Sequence, residues 1–120
     1  MQKKSQEDYL EAILIQINKT GACRVTDIAR QIGFTKASTS VALRKLEDDD
    51  FVIRDDWRIL LTPKGYATAI NTYEKHRFFV EWFTKLGIET ERAEEEACGI
   101  EHFLSNETYE KIKQFVAGRT

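Results

Sequence analysis

The chain has two cysteines, one proline and no long apolar run, and each scarcity removes a class of protein. Cys23 and Cys98 stand far apart with no C-x-x-C pair, which argues against a disulfide framework and against a zinc finger. A reducing cytoplasm is the expected home. Nothing approaches the roughly 18 uninterrupted apolar residues of a membrane span, and the opening "MQKKSQEDY" lacks the apolar centre of a signal peptide. There is no H-E-x-x-H, no G-x-S-x-G and no glycine-rich phosphate loop, so an enzyme is not expected. A strong positive balance is missing too. The net charge is -2, which does not advertise a nucleic-acid partner. A local basic face could still serve one, because a phosphate responds to charge within about 8 to 10 Å.

What is present is organised mainly as helices. With 42% hydrophobic residues in 120, the chain can bury a core but is short for two independent domains, and two small lobes sharing a long helix fit better. From Gln6 to Ile17, Leu10, Ile13, Leu14 and Ile17 recur at three- and four-residue steps, with Ser5 available as a cap and "NKTG" as a stop. "RVTDIARQIGFTKASTSVALRKLEDDDFV" reads as two short helices around a tight break. Thr26 is placed to cap a helix holding Ile28, Ala29 and Ile32, Gly33 to end it, and Thr35 to cap the next, whose buried side is expected to hold Val41, Leu43 and Leu46. That is helix-turn-helix spacing. "FVIRDDWRILLT" has β-rich runs on either side of "DDW", a two-stranded hairpin that acts as a wing in this position.

Thr62 and Pro63 then restart a helix, which meets no breaker before Gly87 and should run from Pro63 to about Lys85. Thr90 can cap a helix over "ERAEEEACGIEHFL", and Ser105 another over "ETYEKIKQFVAG". The expected fold is mainly α: a winged helix-turn-helix over residues 1–63, joined by a long helix to an all-helical domain over 64–120, to which the residues below assign metal binding and dimerisation as expectations.

Two sets of residues carry chemistry. The stretch from Arg30 to Lys45 also holds Lys36 and Arg44 and contains no acid. Thr35, Ala37, Ser38, Thr39 and Ser40 are short residues, four of them hydroxyl-bearing, that let a backbone approach DNA closely; Lys36, Arg44, Lys45, Arg54 and Arg58 can neutralise phosphates. Duplex DNA is the expected partner, and a winged helix used only for protein contacts is the ordinary alternative.

The second set centres on "EEEACGIEH". On a helix, Glu94, Cys98, Glu101 and His102 share one face, Asp8 and Glu11 share a face of the first helix, and His76 stands on the long helix. Carboxylate oxygen, imidazole nitrogen and thiolate sulfur form a mixed set suited to a divalent transition metal such as Mn2+ or Fe2+. Ordinary roles exist beside this one. Glu95 and Glu96 suit a solvated face, Cys23 and Cys98 can be small buried hydrophobes, His76 a hydrogen-bonded core histidine, and Asp8 a helix-start acid. Surplus apolar bulk, including Phe78, Phe79, Trp82, Phe83, Ile100, Phe103, Tyr109, Ile112 and Phe115, suggests that a second subunit covers part of the C-terminal lobe.

Taken in order, "EDYLEAI", "VTDIARQI", "ASTSVALRKLE", "LTPKG", "KHRFFVEWF" and "EEACGIEHFLS" resemble the metal-dependent repressors that include the diphtheria toxin repressor and the manganese transport regulator. The resemblance covers nearly the whole chain. It implies a winged-helix lobe, a dimerising C-terminal lobe, and metal bound by Asp8, Glu11, His76, Cys98, Glu101 and His102. It also implies a homodimer on a palindromic operator, controlling metal uptake. Asp8 together with Cys98 mixes the patterns of the manganese and iron branches. Val80 and Glu94 stand where the iron branch has further ligands, so that ancillary site is expected to be altered or absent. With the sequence running to Thr120, the iron branch's extra C-terminal domain is not expected, and the architecture is expected to be closer to that of the manganese regulator. Two rivals are a winged-helix regulator answering to a small organic ligand or to nothing, and a metal-dependent hydrolase.

Overall fold

The computed structural model describes residues 3–118. Along the chain run α1 (Lys3–Thr20), α2 (Val25–Ile32), α3 (Lys36–Asp48), β1 (Val52–Asp55), β2 (Arg58–Leu61), α4 (Pro63–Lys85), α5 (Thr90–Glu101) and α6 (Asn106–Ala117). Two compact units result, Met1–Tyr73 and Glu74–Thr120, and the division falls within α4.

In the first unit α1 buries Leu10, Ile13 and Leu14, with Ile17 packed beside them. Each of the three contributes on the order of 1.5 to 3 kcal/mol by leaving water. The helix starts at Lys3, earlier than expected, so Ser5 lies inside it and does not cap it. The lysines, glutamine and glutamate around Ser5 are good helix formers, and nothing there breaks the helix. For α2 the cap position is Arg24, not Thr26: the Asp27 carboxylate accepts a 3.0 Å bond from the Arg24 backbone N–H, which places Thr26 in the first turn. Gly33, at φ 87°, ends α2 in the left-handed conformation, its N–H donating to the Ala29 carbonyl at 2.9 Å. Thr35 caps α3 as the sequence suggests, its hydroxyl oxygen accepting from the Ser38 N–H at 3.1 Å.

The buried stripe of α3 is Thr39, Leu43 and Leu46, an i, i+4, i+7 set. Val41, expected inside, is 72% exposed, because two residues along a helix turn a side chain nearly to the opposite face. The hairpin pairs Val52 with Leu61 and Asp55 with Arg58, and Asp56 takes the left-handed turn at φ 58°. Behind it, α4 is seated tightly. The Thr62 hydroxyl accepts from the Gly65 N–H at 3.0 Å, and a Cβ at Gly65 would meet the Phe51 carbonyl oxygen at 2.0 Å. Glycine is therefore required by close approach of two backbones.

In the second unit Phe79, Ala97 and Tyr109 are buried, with Phe78, Trp82, Phe83, Ile100, Leu104 and Ile112 packed around them. Phe78 meets Tyr109 edge-on at 5.7 Å between ring centres. Thr90 is the first helical residue of α5, the cap position being Glu89. The helix closes at Glu101, short of the expected Leu104, because Ser105 must be extended (ψ 161°) for its hydroxyl to accept from the Thr108 N–H and cap α6. The intervening turn is held by Phe103 and Leu104 N–H groups donating to the Ile100 carbonyl. Lys75, buried in α4, donates from Nζ to the Leu104 carbonyl at 3.3 Å and fixes that turn. Among the aromatics expected to seek a partner, Phe103 and Phe115 are largely exposed.

Candidate metal centre

The turn after α5 matters because it presents His102 next to Glu101. Glu101 is 1% exposed, and His102 is also buried. Across from them α4 supplies His76, whose Nδ1 lies 2.7 Å from Glu101 Oε2 and whose Nε2 lies 2.7 Å from Glu94 Oε2. The other carboxylate oxygen, Glu101 Oε1, is 3.2 Å from His102 Nε2, yet it is buried and accepts no hydrogen bond. A carboxylate oxygen removed from water and left without a hydrogen bond is costly, by several kcal/mol when charged. Cys98, one turn before His102 on the same face, completes the group: donor atoms of Cys98, Glu101 and His102 all lie within 4.8 Å of one another. Oxygen, nitrogen and sulfur donors converging on a buried, under-bonded carboxylate are what a divalent transition metal requires. These residues fit the group.

The structure places the remaining sequence candidates as follows. Asp8 and Glu11 occupy one face of α1, both partly exposed, with Lys4 Nζ 3.1 Å from Asp8 Oδ2. Glu95 and Glu96 are exposed, as a solvated face requires. Cys23 is fully buried in the first unit, where desolvation chiefly, and the negative charge of Asp27 secondarily, push its thiol up from 9.0 to about 12. It is inert as a nucleophile or ligand.

At the start of α3 and along it, Thr35, Lys36, Ala37, Ser38, Arg44 and Lys45 are exposed and Ser40 partly so. Thr39 departs from the expectation of a contact residue: it is 0% exposed, its hydroxyl donating to the Thr35 carbonyl at 2.8 Å. It packs beneath the helix because position 39 begins the buried stripe. Arg54 of β1 donates to the Ser40 carbonyl at 3.2 Å and so ties wing to helix, while Arg58 pairs with Asp55 on the hairpin. Beside them is a cavity of 330 Å³ lined in part by Arg24, Lys36, Arg54 and Trp57, with the Arg24 guanidinium 4.5 Å above the Trp57 ring. Neither Arg24 nor Trp57 was marked by spacing. The adjacency of a basic residue before α2 and an aromatic at the wing tip arises only from the fold.

Residues 62–119 match the family model described as iron dependent repressor, metal binding and dimerisation domain, and residues 12–56 match the MarR family model. The HTH-type transcriptional regulator MntR of Bacillus pumilus is 31% identical over 117 residues, covering 97% of this chain and 81% of that protein. MntR of Geobacillus thermodenitrificans is 31% identical over the same length, covering 83% of its own. Among solved structures, T. acidophilum IdeR is 29% identical with a TM-score of 0.76, and the manganese regulator SloR is 29% identical with a TM-score of 0.79. These cover 91% and 93% of this chain, which spans only 53% of either solved chain. The two MntR relatives are named as transcriptional regulators, which are not enzymes. With an alignment running through helix-turn-helix, wing and C-terminal helices alike, the chain belongs to the family of metal-dependent transcriptional repressors that includes the MntR regulators.

Proposed function

We propose that this chain acts as a homodimer that binds a palindromic duplex operator when a divalent cation, Mn2+ or Fe2+, is bound, and thereby controls metal uptake. The single observation that carries the reading is Glu101, a buried carboxylate set between His76 and His102 with one oxygen accepting no hydrogen bond. The residues that would hold the cation are His76, Cys98, Glu101 and His102 of the second unit, with Asp8 and Glu11 of α1. When bound, it supplies the positive charge that lets these carboxylates share one site.

The protein's own residues account for the coupling. Asp8, Glu11 and Glu101 repel one another in any arrangement that gathers them, by a few kcal/mol at short range in a partly desolvated site. Relief of that repulsion favours the gathered arrangement and holds α1, hence α3, in a fixed relation to the dimerising helices. In a twofold dimer the two copies of α3 must match half-sites roughly 34 Å apart or a multiple of it. On α3, Ser38 and Ser40 offer groups to base edges while Lys36, Arg44 and Lys45, with Arg54 and Arg58 of the wing, meet phosphates. Thr35 caps the helix, and Ala37 leaves room for close approach. Exposed Phe103 and Phe115 supply apolar surface for the second subunit.

The test is fluorescence anisotropy of a labelled palindromic duplex titrated in Mn2+, Fe2+, Zn2+ or chelator. Binding at least about tenfold tighter with Mn2+ or Fe2+ than with chelator is expected, a coupling of about 1.4 kcal/mol. Equal affinity in all four conditions would remove the metal from the account.

A further inference from the structure

Glu94 is half in solvent, 53% exposed at its side chain, yet it does not behave as a loose surface acid. Its Oε2 lies 2.7 Å from His76 Nε2, on the side of the ring opposite the nitrogen that meets Glu101. The two ring nitrogens of an imidazole direct their lone pairs or protons away from each other. Any ion held by Glu101, Cys98 and His102 would therefore be met by Nδ1, while the Glu94 carboxylate seated on Nε2 lies on the other side of the ring from Glu101. His76 is partly exposed on α4, and an imidazole's outer torsion is intrinsically broad and roughly two-fold, so contacts at both ring nitrogens define which one faces Glu101.

We propose that Glu94 is a positioning residue for the metal centre. By accepting a hydrogen bond from Nε2–H, it holds the ring with Nδ1 toward Glu101, the nitrogen whose N–H bonds Glu101 in the metal-free protein and whose lone pair would meet a cation taking the place of that proton. A carboxylate behind a ligating histidine also raises the basicity of the ligand nitrogen. Helical spacing makes the device possible: α5 carries Glu94 and Glu101 seven residues, two turns, apart on one face, so a single helix grips both nitrogens of a ring on α4. This inference rests on the metal reading above and assigns Glu94 a role distinct from that of a ligand.

The experiment uses the full chain and measures Mn2+ affinity by competition with a fluorescent chelator, together with the visible absorption of the Co2+-loaded protein. Wild type, Glu94→Ala and Glu94→Gln are compared. Because Glu94 is half exposed, Glu94→Ala should weaken Mn2+ binding by about tenfold, the lower end for such partners. Glu94→Gln should recover to within about threefold of wild type, since its amide oxygen still accepts from Nε2–H, and its Co2+ spectrum should match wild type. Wild-type affinity in Glu94→Ala overturns the inference and leaves the metal reading intact. Equal loss in Glu94→Gln and Glu94→Ala with an altered Co2+ spectrum in both makes Glu94 a ligand and also overturns it. Failure of the wild type to bind any of these metals overturns the inference and the metal reading together.

Discussion

Replacing Glu101 by glutamine keeps the shape of the side chain and removes its charge. In the metal-free protein two effects oppose: the charge-assisted hydrogen bond with His76 is weakened, about 1.5 to 3 kcal/mol, while the burial of a carboxylate is relieved by a comparable amount. Metal-free stability should shift by about 1 kcal/mol or less. Metal-dependent stability should collapse. At free Mn2+ a hundredfold above the dissociation constant, a single site stabilises the native state by about 2.7 kcal/mol. For a domain of this size each kcal/mol moves the melting temperature by about 4 °C, so wild type should gain about 10 °C. A neutral amide in place of the carboxylate should weaken binding at least about a hundredfold, leaving about 0.4 kcal/mol, or about 2 °C, at the same metal concentration. Thermal melts followed by far-ultraviolet circular dichroism, with Mn2+ and with chelator, read both numbers. A Glu101→Gln protein that keeps the full shift would refute the placement of Glu101 at the centre.

Three further outcomes follow from other parts of the fold. Gly65→Ala drives a Cβ into the Phe51 carbonyl oxygen 2.0 Å away, so urea denaturation should show a loss of about 2 kcal/mol or more, with no change if the backbone at Phe51 can retreat freely. Arg44→Ala removes one exposed phosphate-neutralising charge, so the slope of log affinity against log salt for duplex DNA should become shallower by about 0.9, whereas an unchanged slope would take Arg44 off the interface. Burial raises the Cys23 thiol from 9.0 to about 12, so above pH 9 the unfolded chain loses a proton that the folded chain keeps. That contribution to stability is fully present below pH 9 and should fall by up to about 1.4 kcal/mol per pH unit on the way to pH 12. Cys23→Ala should flatten the decline, and an equally steep decline in that variant would assign it to other groups.

The parts legible in the sequence were those set by period and by hard stops. The Leu10, Ile13, Leu14 stripe, Gly33, the "DDW" turn, and Pro63 with Gly87 bracketing α4 each express one local constraint, and the structure follows them. Caps were less legible, since a hydroxyl before an apolar run caps only if its own backbone is extended. Thr35 and Ser105 meet that condition and Thr62 accepts from the Gly65 N–H, while Ser5, Thr26 and Thr90 fall within helices. Thr39 and Val41 exchanged sides because chemistry suggested one face and helical phase dictated another. At the metal centre, the donors could be chosen by spacing on α5, but the burial of Glu101 and the packing of the same helix through Ala97 against Phe79 and Tyr109, with Lys75 donating to the turn that follows, are products of the fold. No local pattern encodes those contacts.

The most direct measurement is the anomalous scattering of Mn2+ in crystals of the metal-loaded protein. A peak with Asp8 and Glu11 oxygens on one side and Glu101 and His102 donors on the other is the predicted result. A peak ligated by residues of the second unit alone, with α1 contributing nothing, would contradict the claim that the ion sets the position of the reading head.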